Sequence, residues 1–219
     1  YEAISQELQT HEGCTSKSLR QQLAGAAFEH TAQYDRAIAD YFARQSDESA
    51  HYPDKMTLTL ARKAVLRYGE NPHQSAAVYQ QVGTSGGANL LAAEQRNGKE
   101  LSYNNLLDAD AALAIARSLP DCGVAVIKHT NPCGAASAKT ISEATERAMA
   151  GDPVSAFGSI LGFNQPVDAA SAEYLATPGL FVEAIVAPSF SSEALEILTT
   201  KPKWKANVRL LEVGTLDSQ

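Results

Sequence analysis

Apolar residues recur at near-helical spacing through Leu19, Leu23, Ala27, Thr31, Tyr34, Ile38 and Phe42. That spacing predicts one amphipathic helix over 16–45, with Ser16 or Ser18 placed to cap its start. The polar stretch SDESAHYPD, 46–54, contains Pro53 and reads as a linker or exposed loop. The chain is therefore divided near residue 50, into a helical segment 1–50 and a larger segment 51–219. Beyond that point short apolar runs alternate with helical patterns. Strands are expected within 57–67, at 76–80, 123–128, 158–163, 181–187 and 206–212. Helices are expected at 104–119, 140–150, 168–176 and 191–201, the second with Thr140 and Glu143 in capping-box spacing and Gly151 just past its end. The run GVAVIK, 123–128, suits a strand buried on both faces, and NPCG, 131–134, reads as a turn.

Strand alternating with helix predicts an α/β layered fold, a mostly parallel sheet flanked by helices. Ligands of such sheets gather beyond the carboxyl ends of the strands, which directs attention to the residues just after Ile127 and just before Ala184. Composition narrows the class. With 219 residues, 44% hydrophobic and 20% charged, the chain is an ordinary globular one, long enough for a core. Its 25 acidic and 18 basic residues give a net charge of −7, which disfavours a nucleic-acid partner but leaves room for a local phosphate pocket. No apolar run approaches the ~20 residues of a membrane helix. Cys14, Cys122 and Cys133 are odd in number and widely spaced, so neither a disulfide framework nor a zinc cage is expected, and a reducing compartment is the default. The chain opens on Tyr1 with no export-signal pattern, and reads as an internal piece of a longer cytoplasmic protein.

Four polar clusters carry candidate chemistry. Lys128-His129-Thr130-Asn131-Pro132 follows the buried run directly. An imidazole near neutrality accepts a proton from a nucleophile, and a neighbouring ammonium offsets negative charge developing on oxygen. Adjacent strand residues face opposite sides, so a shared pocket requires the strand to end near Lys128 and the loop to swing His129 round. The alternative is a Lys and a His ending a strand at the solvent edge. In the second cluster, 67–74, Arg67 offers a planar fork for phosphate, Tyr68 a hydroxyl and Gly69 a close backbone approach, although Asn71-Pro72 also fits an ordinary turn. In the third, 152–158, Gly158 can present an amide and Phe157 can stack on a planar ring, or the segment simply connects helix to strand with a core Phe. Glu183 is a carboxylate inside an apolar run, where burial is expensive without a partner; it binds hydroxyls or lies at an edge. Asn105, at the start of the 104–119 helix, is also explained by capping alone.

GxxxxGK[ST] and GxGxxG fingerprints are absent, and neither half of the zinc-deaminase pattern is matched around His129 and Cys133. Cys133 is conceivable as a nucleophile but reads as a small turn residue.

RYGENPHQ (67–74), GKELSYNNLLDADAA (98–112), VIKHTNPCGAA (126–136), DPVSAFG (152–158) and VEAIVAP (182–188), in that order, resemble the bifunctional purine-biosynthesis enzymes. In these, AICAR transformylase is joined to IMP cyclohydrolase. LAGAAFEHTAQYDRAIADYF, 23–42, is similar to the segment joining the two activities. The resemblance implies that 1–50 follows the cyclohydrolase domain and 51–219 is the first α/β half of the transformylase, a cytidine-deaminase-like unit. It further implies formyl transfer from 10-formyltetrahydrofolate to AICAR. His129 is then the proton acceptor and Lys128 its transition-state partner. Arg67 and Tyr68 hold the phosphate and ribose region, and Asn105, Phe157, Gly158 and Glu183 complete the nucleotide contacts. It implies a homodimer with sites across its interface and a fragment inactive alone; the sequence itself shows no metal site. Ser159 and Gly162-Phe163 depart from the usual Gly and Ala-Leu, a change read as packing. A non-catalytic nucleotide-binding or dimerisation module, or a purely structural domain, remains the competing reading.

Overall fold

In a computed structural model the described residues are 1–46, 56–83 and 87–216. The chain separates into two units, Tyr1–Thr57 and Leu58–Gln219. The boundary expected near residue 50, and the linker beyond Ser46, lie outside the described residues.

The first unit holds α1 (Glu2–Thr10), which the periodicity reading missed, and the long α2 (Lys17–Ser46). Their turn is closed by Glu7, whose carboxylate accepts from Ser16 N (2.6 Å) and Ser16 Oγ (2.9 Å). Ser16 Oγ in turn accepts from Leu19 N at 3.1 Å, so Ser16 is the cap of α2. These bonds to Ser16 hold the Glu7 carboxyl below its ordinary range. Of the apolar stripe foreseen on α2, Leu19 is buried, whereas Leu23, Tyr34, Ile38 and Phe42 are exposed.

The second unit opens with an antiparallel hairpin, β1 (Leu60–Leu66) and β2 (Ala76–Gln81). There follow a 3-10 turn at Leu90–Ala92, β3 (Glu94–Asn97), α3 (Tyr103–Ser118), β4 (Cys122–Lys128), β5 (Asn131–Ala138) and α4 (Ile141–Met149). The chain then completes β6 (Ser159–Phe163), α5 (Ala169–Leu175), β7 (Val182–Ala187), α6 (Ser192–Thr200) and β8 (Arg209–Glu212). The foreseen Thr140 cap is in place, its Oγ1 accepting from Glu143 N (3.2 Å), whereas α3 is capped by Ser102, with Asn105 three residues on as its capping-box partner rather than as the cap itself.

Six strands form one sheet in the order β3-β8-β7-β6-β4-β5. The α/β layering is as expected, but the sheet is mixed rather than mostly parallel. Parallel pairing is confined to β6-β7 and β7-β8, where a helix crosses over, while β4-β5, β4-β6 and β3-β8 are antiparallel. The reason lies at 129–130. The segment NPCG is not a turn but the start of β5, and the chain reverses through His129-Thr130 with Lys128 paired to Asn131. Pro132 is tolerated there because β5 is the sheet edge, beside a bulge at Cys133.

Side-chain alternation splits the core into two layers. Val124, Val126, Leu161, Phe163, Ile185 and Leu210 face α4, α5 and α6; Ala125, Ile127, Ile160, Ala184, Val186 and Leu211 face α3. Each fully buried Leu, Ile or Phe contributes about 1.5–3 kcal/mol. Gly162 lets α3 lie close on the sheet, since a Cβ there would stand 2.2 Å from Ala112 O. That makes the departure at 162 a packing feature.

Candidate functional site

Because β4 runs against β6, its carboxyl end meets the amino ends of β6, β7 and β8. One end of the sheet therefore collects Lys128, Gly158, Glu183 and Arg209. The rule of carboxyl ends holds here for β4 and for β3, which runs against β8, and not for the three strands between them.

Lys128 is the last residue of β4 and half-buried, and its ammonium donates to Phe157 O at 2.8 Å. His129 is exposed and leaves the strand with φ 55°, followed by Thr130 with φ 62°. Positive φ at both central residues of a two-residue hairpin loop marks a type I′ turn. Strand alternation thus ends at Lys128, the first of the two conditions the sequence reading set for the pair. The His129 carbonyl accepts from Thr130 Oγ1 (2.7 Å) and Asn131 Nδ2 (2.8 Å), and Thr130 N donates to Asp108 Oδ1 (2.7 Å).

Gly158 has φ 76° and donates its amide to Phe181 O at 2.8 Å. The amide is therefore spent inside the protein rather than presented to a ligand. Phe157 is not a core residue: it is exposed, its ring 5.4 Å from that of Phe181. Upstream, Asp152 accepts from Ser155 N (3.1 Å). Its carboxyl lies below the ordinary range because of its bonds to Ser155, with the Lys128 charge adding less.

Glu183 does not lie at an edge, since β7 is central. Its Oε1 is ion-paired with Arg209 Nη1 from the neighbouring strand. Arg209 is 5% exposed, its Nη2 also donates to Glu100 O (3.3 Å), and its Nε has no partner among the described residues. Glu183 is held from one side and stays one-third exposed, at 33%. Sequence reasoning missed Arg209. The signal was available: a lone cation in the apolar run VRLLE answers a lone carboxylate in VEAIVA.

Asn105 is buried, and its Oδ1 accepts from Ser102 N (3.1 Å) and Ser102 Oγ (2.9 Å). Only its Nδ2 remains to donate to a ligand. Arg67 and Tyr68 follow the end of β1; the guanidinium lies 5.7 Å from the Tyr68 ring centre. Arg67 lines a cleft of about 370 Å³ with Gln95, Glu100, Leu101, Leu106 and Leu211. Glu100, whose carbonyl takes Arg209, is thus also a residue of the Arg67 cleft. Gly69 does not offer backbone to a ligand as foreseen. It is buried, donates to Gln74 O (2.9 Å), and a Cβ there would stand 2.9 Å from Gln74 Cβ.

The structure thus groups Lys128 with Phe157 and Gly158, and Glu183 with Arg209, at one sheet end. It ties the His129 turn to α3, the helix that carries Asn105, and places Arg67 and Tyr68 on a separate hairpin. Burial pushes the Cys133 thiol upward and its Sγ donates to Val126 O (3.4 Å), which argues against a nucleophile. Among the described residues no His, Cys, Asp and Glu group is arranged to hold a metal, and no helix is long and apolar enough to cross a membrane.

Residues 1–219 match the sequence model of the AICARFT/IMPCHase bienzyme family. The chain is 59% identical over 206 residues to the bifunctional purine biosynthesis protein PurH of Rhodopirellula baltica, covering 94% of this chain and 39% of that protein. Identity to the protein of the same name from Oceanobacillus iheyensis is 48% over 211 residues, covering 96% and 38%. With that from Bacillus subtilis it is 47% over 206 residues, covering 94% and 38%. The chain spans well under half the length of these relatives. Matched from end to end, it belongs to the AICARFT/IMPCHase bienzyme family.

Proposed function

We propose that this chain is the part of a bifunctional purine-biosynthesis enzyme that carries the proton acceptor for formyl transfer from 10-formyltetrahydrofolate to AICAR. The observation that carries the reading is the end of β4. The last strand residue, which carries an ammonium, and the first turn residue, which carries an imidazole, adjoin at a sheet end that also holds a one-third-exposed carboxylate. The AICAR amine attacks the formyl carbon, and the bond from that carbon to the folate nitrogen breaks. The amine's proton passes to His129. Lys128 offsets charge on the formyl oxygen or on the departing nitrogen. The amine sits on an electron-poor imidazole and is a weak nucleophile, so a positioned base contributes about 10²–10⁴ in rate. Holding both substrates in one pocket adds a proximity gain.

Arg67 and Tyr68 take the phosphate and ribose region, Phe157 stacks, and the free oxygen of Glu183 accepts from ribose hydroxyls. Gly158 supports Phe157 through its left-handed turn, and Asn105 donates through Nδ2. In this reading 1–50 follows the cyclohydrolase domain, 51–219 is the first transformylase half, and the working enzyme is a cytoplasmic homodimer with a small-molecule substrate. The test is turnover of AICAR and 10-formyltetrahydrofolate by the full-length enzyme. His129→Ala is expected to lose transfer by about 10²–10⁴ while AICAR binding, followed by calorimetry, survives. Near-normal turnover refutes the base assignment, and AICAR binding with no transfer by the wild type favours a binding module.

A further inference from the structure

The turn that carries His129 is held in an unfavourable conformation. Type I′ turns favour Asn-Gly or Asp-Gly because both central residues need positive φ. Here the two positions are His129 (φ 55°) and Thr130 (φ 62°). A β-branched residue at positive φ is an outlier that persists only when its surroundings enforce it. Within the turn, two bonds converge on the His129 carbonyl, from Thr130 Oγ1 and Asn131 Nδ2. The bond from outside the hairpin is different in kind. In a tight hairpin loop the amide of the second central residue points away from the ladder, and here Thr130 N donates to the Asp108 carboxylate at 2.7 Å. A bond to an ionised acceptor is roughly twice as strong as a neutral one. Asp108 itself has little freedom. It lies on α3 just beyond the Ser102–Asn105 capping box, and α3 is seated on the sheet through Ala112 over Gly162.

From this geometry we infer that Asp108 is a positioning residue for the reaction: it clamps the backbone of the His129-Thr130 turn in its left-handed form and so sets where the imidazole stands. The inference rests on the reading of His129 as the base. Asp108 itself touches no reacting atom, and its effect is conformational. A turn that needs no clamp must therefore make it dispensable. Thr130→Gly supplies such a turn, since glycine adopts positive φ without a Cβ penalty.

The experiment uses the full-length enzyme and compares Asp108→Ala, Asp108→Ala with Thr130→Gly, and His129→Ala. Asp108→Ala is expected to lower kcat about 10–100-fold, the scale of a small misplacement of a catalytic group, with the KM for AICAR changed less than about threefold. Thr130→Gly in that background is expected to recover most of the loss, although it restores no charge. Hydrogen exchange of the peptide spanning 126–136 is expected to speed up in Asp108→Ala and to need no substrate to show it. Wild-type kcat in Asp108→Ala, or a loss that Thr130→Gly leaves unrepaired, overturns the proposal. If Asp108→Ala does not accumulate as folded protein, Asp108→Asn replaces it. A loss of about 3–10-fold is then expected from the weaker neutral bond, and unchanged kcat and exchange overturn the clamp. The base reading fails separately, by turnover in His129→Ala, and exchange at the turn then still reports on Asp108.

Discussion

The two ends of the central sheet use polar residues in opposite ways. At the end where β4 begins and β6 stops, Asn164 is fully engaged. Its Oδ1 accepts from Gly123 N (2.7 Å), and its Nδ2 donates to Leu119 O (3.1 Å) and Asp121 O (3.0 Å). That cluster ties a loop to two strands. At the other end the polar groups are only half satisfied: His129 stands exposed, and Glu183 is gripped by Arg209 on one oxygen. A polar cluster that completes its own hydrogen bonds is a structural device. One that holds a charge from behind and leaves its front open has the arrangement that the proposed ligand site needs.

The sharpest way to break this contrast is at Glu183. Glu183→Ala strands the buried Arg209, a change that costs about 3–5 kcal/mol for a fully buried pair and less here because Glu183 is 33% exposed. Chemical denaturation of Glu183→Ala is expected to show that loss. Glu183→Leu with Arg209→Met is expected to regain most of it while AICAR affinity in the full-length enzyme stays lost. If affinity returns with stability, the pair is structural and the two ends are alike. The next largest effect is expected at the opposite end. Asn164→Ala leaves an amide and two carbonyls unpaired, for a loss of about 1–3 kcal/mol. Turnover per folded molecule is expected to hold, and a matching fall in kcat at full folding would erase the distinction.

How far these ends were readable from sequence follows from what each residue must satisfy locally. The α4 start was readable because a Thr cap acts over three residues, whereas at α3 the cap is Ser102 and not Asn105, the residue the sequence reading offered. Strand β4, an unbroken apolar run, was readable too. The strand β5 was hidden because Asn131-Pro132-Cys133-Gly134 has turn composition. Gly134 serves a contact far off in the chain, where a Cβ would come 1.9 Å from Ala148 O. The true turn, His129-Thr130, lacks every turn residue because a long-range bond to Asp108 holds it. Strand β3, Glu94–Asn97, is polar and short, and exists through its pairing with β8. The adjacency of Lys128 and His129 at a strand end was legible, whereas Arg209 and Asp108 engage partners distant in sequence, where no local pattern points.

A smaller effect is expected at Ser102. Ser102→Ala removes the cap that accepts from Asn105 N at 3.1 Å, for about 1 kcal/mol. It also frees the Asn105 side chain that the cap holds. If Asn105 serves only the helix, thermal unfolding shifts and the KM for AICAR does not. If its Nδ2 also serves nucleotide, both move, and the capping box belongs to the open end of the sheet.

The smallest effect is at Asp152, beside the Lys128 end, and it tests whether charge there is built for stability. Its bonds to Ser155 hold the folded-state carboxyl below the ordinary range. A depressed folded value means that the unfolded chain binds the proton more readily. The contribution is therefore present above the unfolded-state value and fades as pH falls through the folded one. Thermal unfolding followed from neutral pH down to roughly pH 3 is expected to fall slightly less steeply in Asp152→Asn than in wild type. The side chain is open to solvent, which keeps the difference slight. A steep acid limb that vanishes in Asp152→Asn would mean that this carboxylate braces the Lys128 loop. Part of the open end would then be structural after all.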